Sequence, residues 1–307
     1  DFLELCRETG ADPWYVVPPT FKSDELQGLI EYLAAPASPA FPLAMRRASL
    51  GQQSPWTSLF GSVHLEYGNE MWGSGSGDDP FMGSSVNGGE RLASIAHDRF
   101  TIMRSSPHFD AARFRLVIGG QAGYAGRQRE IEQYGSAHDV VALAPYFGVL
   151  DTWNNSSEIF QPLLASPLWQ AASGPMRESR GYLGERELSI YEINFHTTRG
   201  SSPIEIRNDF LTGAAGALAL PLHMLVYQRE LGVRTQCAFS SLGYSFRLQN
   251  GDMAKLWGML RDVEATGRKR PTWLGVELVN KCIVGDMLLT QQSSPQPSWT
   301  QPAINGI

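Results

Sequence analysis

Six short apolar runs, most of them followed by a stretch with helical spacing, constrain this 307-residue chain more than any other feature. They begin near residues 15, 63, 114, 140, 188 and 235 and include Val63-His-Leu-Glu-Tyr, Phe114-Arg-Leu-Val-Ile, Val140-Val-Ala-Leu-Ala and Leu188-Ser-Ile-Tyr-Glu. A continuous apolar run suits a strand buried on both faces, as in a parallel sheet covered by helices. Helical spacing is expected over 1–9, from Ser23 through Leu26, Leu29, Ile30 and Leu33, over 90–104, Arg127 to Tyr134, 203–231 (one long or two joined helices), 251–265 and 272–284. Residues 34–56 read as irregular, 73–89 as a long loop and 151–182 as an insertion with some helix.

The fold class expected is α/β, a (β/α)8 barrel, which takes about 250 residues and grows by loop insertions. A doubly wound open sheet is the alternative. Counting back from the last strand as the eighth makes the strand at 63 the fourth and that at 188 the seventh. The first two strands are then missing from this chain, so another chain or segment is expected to complete the barrel. Residues 1–284 read as the barrel domain. Residues 285–307, rich in Gln, Ser and Pro, read as a linker or the start of a C-terminal β-domain.

Charge and motifs narrow the chemistry. Lys and Arg number 25 against 31 Asp and Glu, a net charge of −6 that lacks the basic face phosphate neutralisation needs. No nucleic-acid partner is expected. The most apolar run, 210–226, contains Pro221 and His223 and is shorter than the roughly 20 residues of a membrane span, so no membrane partner is expected either. The opening residues do not form a signal peptide. Cys6, Cys237 and Cys282 are scattered, without the spacing of a disulfide framework or zinc site. Gly119-Gly-Gln-Ala-Gly lacks dinucleotide-binding spacing, and Asp78-Asp79 falls short of a calcium ligand set. No cofactor and no metal are expected.

In a barrel the active site lies at the carboxyl ends of the strands. Three such ends carry polar clusters: Glu66-Tyr-Gly-Asn69-Glu70-Met-Trp72, Pro145-Tyr146-Phe147-Gly148 and Tyr191-Glu192-Ile-Asn194-Phe-His196. A carboxylate directly after an apolar strand is costly unless paired or near water. Two carboxyls converging on one cleft suit glycosidic cleavage, where one protonates the leaving oxygen and the other attacks the anomeric carbon or activates water.

At Asn69-Glu70 and Glu192 the chain resembles the clan A glycoside hydrolases. These are (β/α)8 barrels with an Asn-Glu pair ending the fourth strand and a Glu ending the seventh. The resemblance covers about 15–285. It implies Glu70 as acid/base, Glu192 as nucleophile, Asn69 on the sugar 2-hydroxyl and Tyr146 bonded to the nucleophile. The Arg usual on the clan's second strand is not found here. The activity implied is retaining hydrolysis of O-glycosidic bonds in a carbohydrate substrate, a poly- or oligosaccharide, in a secreted or periplasmic setting. Beside it stand a non-catalytic carbohydrate-binding barrel and an open-sheet enzyme of unrelated chemistry.

Other residues have structural as well as functional readings. Glu66 shares strand parity with Glu70 and is a rival acid or its support. His196 is a substrate contact or an ordinary histidine, and His64 reads as structural. Trp72 and Trp153 are sugar-stacking platforms or core residues.

Overall fold

A computed structural model describes residues 1–72, 88–148, 157–196, 202–242, 245–255, 257–261, 263 and 265–284. In chain order it contains α1 (Phe2–Thr9), β1 (Trp14–Val17), α2 (Ser23–Ala34), α3 (Pro42–Ser49), β2 (Val63–Tyr67), α4 (Gly89–Arg104), β3 (Phe114–Gly119), α5 (Ala125–Tyr134) and β4 (Val140–Leu143). There follow α6 (Ser157–Ala172), α7 (Pro175–Leu183), β5 (Glu187–Ile193), α8 (Ile204–Thr212), α9 (Ala214–Leu231), β6 (Gln236–Ala238), β7 (Ser245–Arg247), β8 (Met253–Lys255), β9 (Leu260–Arg261), β10 (Arg268–Lys269) and α10 (Pro271–Cys282). The main sheet runs β1-β2-β3-β4-β5-β6. The pairings from β1 to β4 and that of β5 with β6 are parallel. The order follows the chain without the reversal that defines a doubly wound sheet. All six apolar runs are therefore strands, in a mixed α/β fold. The segment 285–307, expected to be a linker or to open a β-domain, lies outside the described residues.

Two compact units make up the chain: Asp1–Leu143 with Ser179–Ser189, and Ala144–Glu178 with Ile190–Ile307. In the first, register partners share a face because parallel strands pair in phase. Trp14, His64 and Arg115 lie in one row, and Val16, Glu66, Val117 and Val140 in the next. The opposite face carries Tyr15, Val17, Leu65, Tyr67, Leu116 and Ile118. That face meets α4, whose Phe100 ring stands edge-on to Tyr67 at 6.3 Å. One face is thus apolar, and the other holds the polar side chains.

Two expectations on this unit need correction. Glu25 accepts a bond from the Lys22 N–H at 2.8 Å, so α2 is capped from Lys22 and not by Ser23. The stretch 34–56 contains α3, which Pro42 starts at its first turn. The fully buried Arg47 of α3 donates to the carbonyls of Tyr32 (2.7 Å), Ala35 (2.8 Å), Gln52 (3.2 Å) and Gln53 (3.2 Å). A buried guanidinium is tolerated because each donor finds a partner. Composition concealed this, since Arg is ordinarily a surface residue.

In the second unit α8 and α9 meet at 65°, so 203–231 holds two joined helices. No single described helix is long and apolar enough to cross a membrane. α10 packs on α9 through Gly275, where a Cβ would run into the Ala217 carbonyl. The helix expected over 251–265 is not formed. Instead β7 and β8 pair antiparallel, with Ser245 opposite Lys255, and β9 pairs with β10. The Asn250-Gly251 dipeptide explains the difference. Gly251 adopts φ +91, and such turns favour hairpins over the helical spacing of the apolar residues that follow.

His223 of α9 is fully buried. Its ring stacks on Phe147 at 3.6 Å, and its Nδ1 lies 2.8 Å from the Ala219 carbonyl. Burial lowers its pKa to about 3. The unfolded chain therefore takes up a proton near pH 6.5 that the folded chain refuses, and stability falls as pH drops through that window. At pH 4 this penalty is about 3 kcal/mol. Urea unfolding at pH 7 and pH 4 should show a much weaker pH dependence in His223→Phe than in the wild type; equal dependence would contradict the assignment.

Candidate functional site

The chemistry-bearing residues of the second unit gather at the end of β5. Glu192 is half-buried there, and the Tyr146 hydroxyl donates to its Oε2 at 2.8 Å. Tyr146 arrives on the short segment after β4. Its place is fixed by a parallel bridge between Phe147 and Phe195. The Phe147 N–H donates to the Asn194 carbonyl (3.1 Å), and the His196 N–H donates to the Phe147 carbonyl (2.7 Å). Two backbone bonds around one residue leave Tyr146 little freedom, so its hydroxyl lands on the carboxylate. A bond to a charged acceptor is stronger than a neutral one, and here it fixes one carboxylate oxygen.

Asn194 is buried and ties this end of β5 to β6. Its amide donates to the Phe239 carbonyl, and its Oδ1 accepts from the Phe195 N–H at 2.7 Å. Phe239 thereby joins a group of half-buried rings around Tyr146. The His196 ring lies 6.0 Å from Tyr146, Phe239 6.4 Å and Trp257 5.7 Å. Tyr146, Glu192 and His196, singled out from sequence, are thus brought together. Phe239 and Trp257 were not foreseen: Phe239 lies at the end of β6, and Trp257 in a stretch read as helix.

In the first unit, β2 ends in the turn Gly68-Asn69-Glu70. Gly68 has φ +63, and a Cβ there would collide with Met71. Glu70 itself adopts φ +46, a left-handed conformation costing a non-glycine residue about 1–3 kcal/mol and found most often at functional positions. The buried Met71 anchors the turn, leaving Asn69, Glu70 and Trp72 partly exposed beside it. Glu66, mid-strand and 1% exposed, accepts the Trp14 indole N–H at 2.7 Å. A Cβ on Gly119 would stand 3.4 Å from its other oxygen. His64 stacks on Trp14 at 4.8 Å, and burial depresses its pKa despite Glu187 and Asp12 nearby. His64 is a neutral packing partner, in line with its structural reading.

Glu70 belongs to the first unit and Glu192 to the second. Trp153 and Asp78-Asp79 lie outside the described residues. Among the described residues no group of three or more His, Cys, Asp or Glu could hold a metal ion.

No family model and no curated protein matches the chain in sequence. Solved structures do match in fold. A family 51 α-L-arabinofuranosidase from Bifidobacterium longum superposes with a TM-score of 0.64 at 15% identity, over 90% of this chain and 54% of that one. The α-L-arabinofuranosidase of Thermotoga maritima gives 0.63 at 15%, over 90% and 51%. That of Thermotoga petrophila RKU-1 gives 0.55 at 18%, over 90% and 51%. The chain spans about half the length of these structures. At such identity the likeness shows the fold. The fold is one shared with these α-L-arabinofuranosidases.

The Trp14–Glu66 bond serves a buried carboxylate, so losing its donor should cost about 1–3 kcal/mol. A double-mutant cycle with Trp14→Phe and Glu66→Met, read by urea unfolding, should give a coupling of that size. Additive effects would show that the bond is not formed.

Proposed function

We propose that this chain carries the catalytic side chains of a retaining glycoside hydrolase that cleaves O-glycosidic bonds in a poly- or oligosaccharide. The observation that carries the proposal is the 2.8 Å bond from the Tyr146 hydroxyl to Glu192 at a strand end, in a fold shared with α-L-arabinofuranosidases. A nucleophilic carboxylate needs one oxygen oriented and the other left to attack. Tyr146 supplies the orientation.

In this reading Glu192 attacks the anomeric carbon while Glu70 protonates the departing oxygen. The glycosyl ester on Glu192 is then opened by water, which Glu70 deprotonates, restoring both carboxyls. Retention requires the two carboxyls about 5–5.5 Å apart. Asn69 bonds the sugar 2-hydroxyl, and His196, Trp72 and Trp153 contact the substrate. Residues 1–284 form the catalytic domain, and two further strands from another segment or chain complete an eight-stranded barrel. Arabinofuranosides are the first substrates to test, because the matched structures are named for them.

The test is a panel of aryl glycosides and oligosaccharides with wild type and two variants. Glu192→Gln should abolish hydrolysis. Glu70→Gln should lower turnover about 10²–10⁴-fold on substrates with poor leaving groups and much less on activated aryl glycosides, which need no proton to depart. Wild-type rates in Glu192→Gln would contradict the proposal. Saccharide binding without hydrolysis on any substrate would select a non-catalytic binding barrel instead.

A further inference from the structure

We infer that Trp257 is a saccharide-stacking residue of the Glu192 site and sets how tightly that site holds its substrate; the inference rests on the glycosidase reading. Trp257 comes from the segment between β8 and β9, which sequence spacing had placed in a helix. The chain holds this segment at several points. Asn208 of α8 accepts the Lys255 N–H at 2.7 Å and donates to the Met253 carbonyl at 3.0 Å. Beyond Trp257, the Met259 and Leu260 N–H groups donate to the Ser240 and Ser241 carbonyls at 2.9 and 2.7 Å. The Trp257 indole N–H donates to the Phe195 carbonyl, three residues past Glu192.

These bonds have two consequences. The only polar atom of the indole is committed to backbone, so the ring meets a ligand through its apolar face. The ring is also fixed before anything binds, so little side-chain entropy is lost on complex formation. Its centroid lies 5.7 Å from Tyr146 and 5.4 Å from Phe239. The Tyr146 hydroxyl is committed too, to Glu192. The outcome is a rigid wall of half-buried rings beside one carboxylate, with the Trp257 N–H and the Tyr146 hydroxyl already bonded. The C–H face of a sugar ring is the complement of such a wall, and its burial there removes apolar area on both sides from water.

The experiment uses the full chain in a Glu192→Gln background, where binding is read without turnover. Calorimetry with arabino-, xylo- and gluco-oligosaccharides compares Trp257 with Trp257→Phe and Trp257→Ala. Trp257→Ala should weaken binding about 10-fold, with Trp257→Phe recovering most of it. In the active background, Trp257→Ala should raise KM by a similar factor and change kcat by less than about 3-fold. Equal affinities for Trp257 and Trp257→Ala would overturn the inference and leave the role of Glu192 standing. A fall in kcat and Tm at unchanged KM would also overturn it, because Trp257 would then only support Tyr146. If wild type binds these saccharides but cleaves none, the glycosidase reading fails while the Trp257 comparison still decides the stacking role. If none is bound by any form, both fail.

Discussion

The bond from Tyr146 to Glu192 depends on a chain of contacts that begins well behind it. His223 of α9 stacks on Phe147, and Tyr227 stands edge-on to the same imidazole at 6.0 Å. Phe147 is bridged through its backbone to the end of β5. Tyr146, one residue earlier, is thereby held with its hydroxyl on the Glu192 carboxylate. The buried imidazole is neutral at neutral pH and its flat ring packs against Phe147 as an aromatic side chain does, at the cost of a buried Nε2 without a hydrogen-bond partner among the described residues. The packing of one helix thus sets the direction of one hydrogen bond at the strand end.

The first unit divides its sheet differently. One face is filled by Tyr15, Val17, Leu65, Tyr67, Leu116 and Ile118, and the other carries Trp14, His64, Glu66 and Arg115. Burying Glu66 there is tolerated because Trp14 donates to it. The turn after β2 adds a strained residue, Glu70, in a conformation that a stable scaffold would ordinarily give to glycine. Polar burial and backbone strain cost stability, and both occur at the strand from which the acid/base is proposed to act.

Much of this was legible in the chain itself. Largely apolar runs mark strands because burial on two faces favours apolar residues, and all six runs are strands, with His64, Glu66 and Arg115 as polar exceptions on one face. Tyr146 was visible as a polar residue just after one such run, and Glu192 as the carboxylate that ends another. Trp257 and Phe239 were not. Their meeting with Tyr146 depends on contacts between residues far apart in sequence, and the spacing of Met253, Leu256, Trp257 and Leu260 imitates a helix. The Asn250-Gly251 turn was the local signal that could have overruled it. Arg47 was hidden for a different reason: its four carbonyl partners exist only once α2 and the loop after α3 have closed around it.

The most direct test of the account asks which carboxylate carries the sugar. A 2-deoxy-2-fluoro glycoside with an activated leaving group slows release of the covalent ester, and peptide mass mapping then locates it. The account predicts a single adduct on the peptide containing Glu192, absent from Glu192→Gln. An adduct on another carboxylate, or sustained hydrolysis with Glu192 unmodified, would contradict it.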